Sequence, residues 1–247
     1  MNDPIMQRSL LRYSRVAGFL YLLIIICGLF SELYVRGNLI FPEDAAATAQ
    51  NILNAELLFR FGLVSDLIML LSDISVAAIF YKLLAPISPI LSLMTAFFRL
   101  TMDAILGLNL LNDWMAIFLL KSGTILSGFA PEQLQSFTLF LLKAHQSGYD
   151  LGLIFFGVHC LLLGYLFFKS GYVPRLLGVL LGLAAVAYLV DSFTAILFPP
   201  LEAIVAPLLI FSFIAELSLA GWLLLKGVKF EPDLQESWGG TPKESGL

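Results

Sequence analysis

Charge is scarce in this chain. Asp, Glu, Lys and Arg make up 13% of its 247 residues, against about 25% in soluble domains. So few charged side chains cannot cover a water-facing surface. Cysteine is scarcer still: Cys27 and Cys160 are the only two, which excludes a secreted disulfide scaffold. The net charge of −4 leaves no basic patch for nucleic acid. Histidine occurs twice, at His145 and His159. On one helix these lie roughly 21 Å apart, so one metal cannot take both. No His-Glu-x-x-His, Gly-x-Ser-x-Gly or Walker pattern is present, so no metal site, catalytic residue or cofactor is assigned.

Apolar residues fill the space. They make up 59% of the chain, with a mean hydropathy of +0.91. Six runs reach the roughly 20 residues that a helix needs to cross hydrocarbon. They are 16–35, 57–81, 90–118, 147–168, 176–198 and 204–225. The runs are continuous rather than alternating, which excludes a β-barrel and leaves helices to satisfy the backbone in lipid. The expected fold is all-α: one six-span bundle over 1–229, then a polar cytoplasmic tail over 230–247. The first run follows Arg8, Arg12 and Arg15 like a signal sequence, but it is too long for an h-region and is read as a retained anchor.

Basic residues fix an expected orientation. Arg8, Arg12, Arg15, Lys82, Lys169, Arg175, Lys226, Lys229 and Lys243 fall on one side; only Arg36, Lys121 and Lys143 fall on the other. The positive-inside rule then puts both termini in the cytoplasm. On the outer side, Pro42-Glu43-Asp44 and Pro131-Glu132 each suit a helix start. Two short amphipathic helices are expected there, over 45–53 and 133–144, lying on the outer surface. The Pro-Glu pairs, the lysines at 82 and 169 and the prolines at 86 and 174 recur at offsets near 88, which raises an internal repeat placing Asp103 over Asp191.

The informative residues are the ionisable ones within the runs. Glu32, Asp66, Asp73, Asp103, Asp113, Asp150, Asp191 and Glu216 stand against Arg60, Arg99 and His159. Each charge is costly at the centre of a bilayer, so these residues must face inward and pair, hold a proton, bind a cation or touch water. At 1.5 Å per residue, Asp66, Arg99, His159 and Glu216 fall near the middle. Arg60, Asp103, Asp150 and Asp191 fall in the outer half, and only Asp73 in the inner half. The expectation is an outward-opening cavity lined by Arg60, Asp66, Arg99, Asp103, His159, Asp191 and Glu216. Arg99 is expected to contact Asp66, Asp103 or Glu216. His145, Gly148, Gly152, Phe155 and His159 share a helix face whose glycines admit a neighbouring helix. The alternative is a purely structural polar network, in which Arg99 neutralises Asp66 or Glu216 and the expected partner of Arg60 is Asp103 or Asp191. Thr48 is read as a helix residue, the alternative being a nucleophile near His145, and the cysteines as apolar filler.

Several stretches together resemble a known family: Asp44-Ala-Ala-Ala-Thr-Ala-Gln-Asn-Ile-Leu53, Leu58-Phe-Arg60 with Asp66-Leu67, Phe97-Phe-Arg-Leu100, the run from Gly148 to His159, Ser170-Gly-Tyr-Val-Pro-Arg-Leu-Leu-Gly178 and the run from Ala215 to Gly227. The chain is similar over about residues 8–228 to the bacterial multi-pass membrane family catalogued as domain of unknown function 4386. The resemblance implies a bacterial inner-membrane protein and brings no activity. Three functions remain open. The first is binding or moving a small polar solute, proton or cation through the acidic cavity. The second is an accessory or sensor role. The third is an intramembrane enzyme acting on a lipid. Membrane lipid and a small polar ligand or cation are the expected partners. Oligomeric state is not legible.

Overall fold

The computed structural model describes residues 4–228. The tail over 230–247 and the basic residues Lys229 and Lys243 lie outside the described residues. Within them the chain is all-α and has six helices long and apolar enough to cross a membrane. We label the helices α1 (Pro4–Leu29), α2 (Ala45–Asn54), α3 (Glu56–Leu84), α4 (Pro89–Leu120), α5 (Pro131–Ser170), α6 (Arg175–Leu197) and α7 (Leu209–Leu225). Every long helix packs on the next in sequence except across α2, which lies on α5. Contact between α7 and α1 closes the ring α1–α3–α4–α5–α6–α7. The backbone N–H of Val228 donates to Ser14 Oγ at 3.2 Å, so the two described ends of the chain meet at one end of the ring. That end is called terminal here and the opposite one distal.

Local chemistry sets the boundaries. Asp44 caps α2, its Oδ1 accepting from Ala47 N at 2.8 Å, as the sequence leads one to expect. Pro89 and Pro131 occupy first-turn positions, where their missing N–H costs nothing. Gly171 ends α5 at φ 68°, a left-handed conformation that glycine adopts freely. Pro199 and Pro207 break the start of the last span into short 3-10 and α turns before α7 begins at Leu209.

Two expectations about elements are corrected. The second surface helix is no separate element: α5 runs unbroken for 40 residues, about 60 Å, and so projects well beyond a roughly 30 Å hydrocarbon core. Gln146-Ser147-Gly148 holds no proline to stop it, and Gly148 is held against the Asn109 side chain of α4. The first span is also longer than expected. It continues past α1 through a π-helical segment, Phe30–Arg36, and a last turn, Gly37–Leu39.

Glycines allow the closest approaches. A Cβ at Gly164 would lie 2.7 Å from the Gly178 carbonyl oxygen, and one at Gly18 would run into the Leu224 backbone nitrogen. The first pair brings α5 onto α6 and the second brings α1 onto α7 at the terminal end. Two apolar cores fill the ring. The terminal core includes Tyr21, Phe80, Leu163, Phe167 and Leu223, and the distal core includes Val35, Phe59, Leu106, Leu153 and Phe156. Between them lies a polar layer.

Candidate functional site

Arg99 is the centre of that layer. It is fully buried, with its guanidinium 5.0 Å from the Tyr21 ring and 5.3 Å from the Phe156 ring, one from each core. Its Nε donates to Asp73 Oδ1 at 3.0 Å and its Nη2 bonds the same oxygen. Its Nη1 lies 2.9 Å from His159 Nε2, while His159 Nδ1 lies 2.8 Å from the Thr95 carbonyl oxygen. A carbonyl only accepts and a guanidinium only donates. His159 is therefore a neutral imidazole with its proton on Nδ1.

Two more carboxyls complete the layer. Asp103 follows Arg99 by one helical turn and stands beside Asp73. It is buried, and neither of its oxygens has a hydrogen-bond donor among the described residues. Glu216 of α7 is bonded by the Tyr188 hydroxyl of α6. Among the described residues Arg99 is thus the one cation set between Asp73, Asp103 and Glu216, and the fixed tautomer leaves His159 uncharged.

A second cluster occupies the distal end. Arg36 bonds Asp66 of α3, Asp113 of α4 at 2.7 Å and Glu32 at 3.3 Å. The Ser31 hydroxyl also donates to Asp66. Ser31 and Arg36 are five residues apart, the spacing that a π-helix brings into line, so the π-helical segment lets both reach one carboxylate. His145 Nδ1 lies 3.3 Å from Asp113 Oδ1. Each carboxylate here has at least one donor, unlike Asp103.

The cavity lies beside the central layer. It has a volume of about 290 Å³ and is walled mainly by apolar side chains of α1, α4, α5 and α7. Its carboxylates are Glu32, Asp73 and Glu216, joined by Tyr149 and Tyr188.

Of the expected lining residues, only Glu216 borders this cavity. Arg99 and His159 lie behind Asp73, both fully buried, and Asp103 is buried next to them. Asp66 borders a separate, much smaller cavity with His145 and Tyr149. Asp191 is buried on α6, outside both. Arg60 is on the surface: its Nε donates to Glu56 at 2.8 Å and its guanidinium stands 5.9 Å from the Trp114 ring. The expected pairing of Arg60 with Asp103 or Asp191 is corrected, because an i,i+4 acid on its own helix is nearer. Arg99 takes Asp73 instead of Asp66, Asp103 or Glu216. Asp73 sits only about 4.5 Å from the centre of α3, a distance that a long arginine side chain spans.

Glu32, Asp73, Tyr149 and Tyr188 of the cavity, and Arg36 of the distal cluster, are residues that the sequence reading left out of the site. The π-helical segment that carries Arg36 leaves no local signature in the sequence. Other readings agree with the structure. The glycine face of α5 meets α4, with Gly152 against Leu106 and Met102. Thr48 fastens the loop before α2, exchanging hydrogen bonds with the Phe41 backbone at 2.8 and 3.0 Å. Both cysteines are buried and free.

Comparison with known proteins places the chain among relatives without assigned chemistry. An uncharacterized protein of Archaeoglobus fulgidus is 29% identical over 174 residues, covering 68% of this chain and 85% of its own length. Similar chains are thus not confined to bacteria. No solved structure matches. Six helices of this chain are long and apolar enough to cross a membrane, the profile described as "Domain of unknown function (DUF4386)" matches residues 16–227, and the chain belongs to that family.

Proposed function

We propose that this protein binds, and moves, a small positively charged solute or a proton at the acidic floor of the cavity. The supporting observation is the donor deficit at Asp103, whose two buried oxygens have no donor among the described residues while the Asp73 carboxyl stands beside it. Two carboxylates side by side in a low-dielectric interior repel strongly. One shared proton, or one bound cation, removes the conflict. A purely structural network is better served by pairing each acid, as the Arg36 cluster does. In this reading the termini are cytoplasmic and the distal end faces outward. The protein then sits in the cytoplasmic membrane, with lipid as its surrounding partner.

Infrared spectroscopy of the purified protein in cation-poor buffer at neutral pH tests the shared proton. The carbonyl stretch of a protonated carboxylic acid should be present in the wild type. Its intensity should fall in Asp103→Asn, with the protein still folded. A wild type with no such band and no bound cation would refute the reading.

A further inference from the structure

The cavity is not shaped for a bare ion. Among the described residues, no three His, Cys, Asp or Glu side chains converge as a metal site. Most of the wall is hydrocarbon, including Met69, Met102, Leu106 and Leu153. A small hydrated cation would lose its water there and gain few oxygen ligands in return. An apolar body, by contrast, is stabilised by this wall.

The position of the mouth gives the route. Gly18 brings α1 against Ala220, Leu223 and Leu224 of α7, so the two helices are closed at the terminal end. Towards the distal end the cavity lies between them, framed by Leu29 and Leu33 of α1 and its π-helical continuation and by Leu209 and Phe213 of α7. Leu29, Leu33 and Phe213 are exposed on the flank of the bundle, the surface that meets lipid in a membrane. The cavity therefore opens sideways, towards lipid. Among the described residues its polar lining contains carboxylates and tyrosines and no basic side chain, which disfavours an anionic head group. Phe156, Tyr149 and Tyr188 add aromatic faces, which attract cations.

We infer that the ligand is an amphiphilic organic cation, with an apolar chain and an amine or quaternary ammonium head, which reaches the cavity from the bilayer between α1 and α7. The inference rests on the reading above that the floor binds positive charge. The head meets Glu216 and Asp73, and the chain lies along Leu29, Leu33 and Phe213. When the head arrives, the proton shared by Asp73 and Asp103 leaves to water. One positive charge enters and one departs, so the charge of the layer is conserved.

The test uses the full chain in nanodiscs of neutral phosphatidylcholine, with protein-free nanodiscs subtracted. Three probes are compared by equilibrium dialysis: dodecyltrimethylammonium, tetramethylammonium and dodecanoate. Dodecyltrimethylammonium should bind at least tenfold more tightly than either of the others, and Glu216→Gln should weaken it at least tenfold. A second variant blocks the route. Leu33→Cys, labelled after folding with a bulky maleimide, should slow binding of the long-chain probe in a stopped-flow time course while leaving thermal unfolding unchanged. The position is exposed, and the native cysteines are buried. Tight tetramethylammonium binding that is indifferent to the label would overturn this inference while leaving the cation reading in place. Equal binding of dodecanoate would overturn it as well, by showing that only the chain is recognised. If neither cation binds while the infrared acid band is present, the amphiphile falls and a proton site remains.

Discussion

Arg99 of α4 places Nε 3.0 Å from Asp73 Oδ1 of α3, and Nη2 bonds the same oxygen. Both donors converge on one atom, and Asp73 also borders the cavity. The arginine is walled by aromatic rings and reaches no water. Arg99→Leu should therefore destabilise the protein by about 3–5 kcal/mol, the scale for stripping one partner from a buried pair. Arg99→Lys should recover only part of this, since an ammonium cannot serve Asp73 and His159 in one plane. Thermal unfolding in detergent measures both. A loss under about 1 kcal/mol for the leucine variant contradicts this account.

Arg36 ties the distal end of the first span to α3 and α4 through Asp66 and Asp113. Its side chain is 10% exposed, so the pairing is nearly as dry as that of Arg99. Arg36→Ala should cost about 3 kcal/mol. Double variants with Asp66→Ala and with Asp113→Ala should each be less destabilised than the sum of their parts, because the residues share one network. Strict additivity in both cycles would show that the contacts carry no coupling.

These two arginines mark where sequence reading succeeds and where it stops. The spans, the α2 cap and the glycine face of α5 follow from apolar run length, side-chain capping and helical period, which are local properties. The placement of Arg99 near the middle also follows from counting residues. Its partner does not. Side-chain reach is comparable to the depth difference between Asp66 and Asp73, so counting along the helix cannot choose between them. Arg36 shows a second limit. The apolar run ends at residue 35, which puts Arg36 in an outer connection, whereas the helix runs on to Leu39 and Arg36 is held against Asp66 and Asp113. Arg60 shows a third, since a charge near a span end finds a partner on its own helix surface before it finds the interior.

Close packing of α5 on α6 gives a prediction independent of charge. A Cβ at Gly164 would meet the Gly178 backbone at 2.7 Å, and backbone does not yield as a side-chain tip does. Gly164→Leu should destabilise by about 1–3 kcal/mol or more, the range for overpacking. Gly182 has nothing within 4 Å of its Cβ position and serves as the control. Gly182→Ala should be neutral or slightly stabilising, since alanine favours the helix. Equal effects at both positions would show that packing is not the cause.

Asp73 and Asp103 should respond in opposite directions to the same substitution. Asp73 accepts from Arg99, so Asp73→Asn leaves a buried guanidinium without its principal partner and should cost about 3 kcal/mol. Asp103 has no donor among the described residues and stands against another carboxyl. In Asp103→Asn the side-chain amide would present a donor to Asp73 in nearly the same volume, fixing permanently the bond that a shared proton makes transiently. A hydrogen bond to a charged group contributes about 1.5–3 kcal/mol at best, and part of that is already present when the proton is shared. Asp103→Asn should therefore be neutral or stabilising by up to about 1 kcal/mol, and the gain should grow as pH rises and the shared proton is lost from the wild type. Thermal unfolding of both variants across pH 6 to about 9 distinguishes this from a structural role. In that range a merely structural Asp103 would make its asparagine variant less stable than wild type at every pH. A gain in stability accompanied by loss of cation binding would identify Asp103 as a residue kept for work at the expense of the fold.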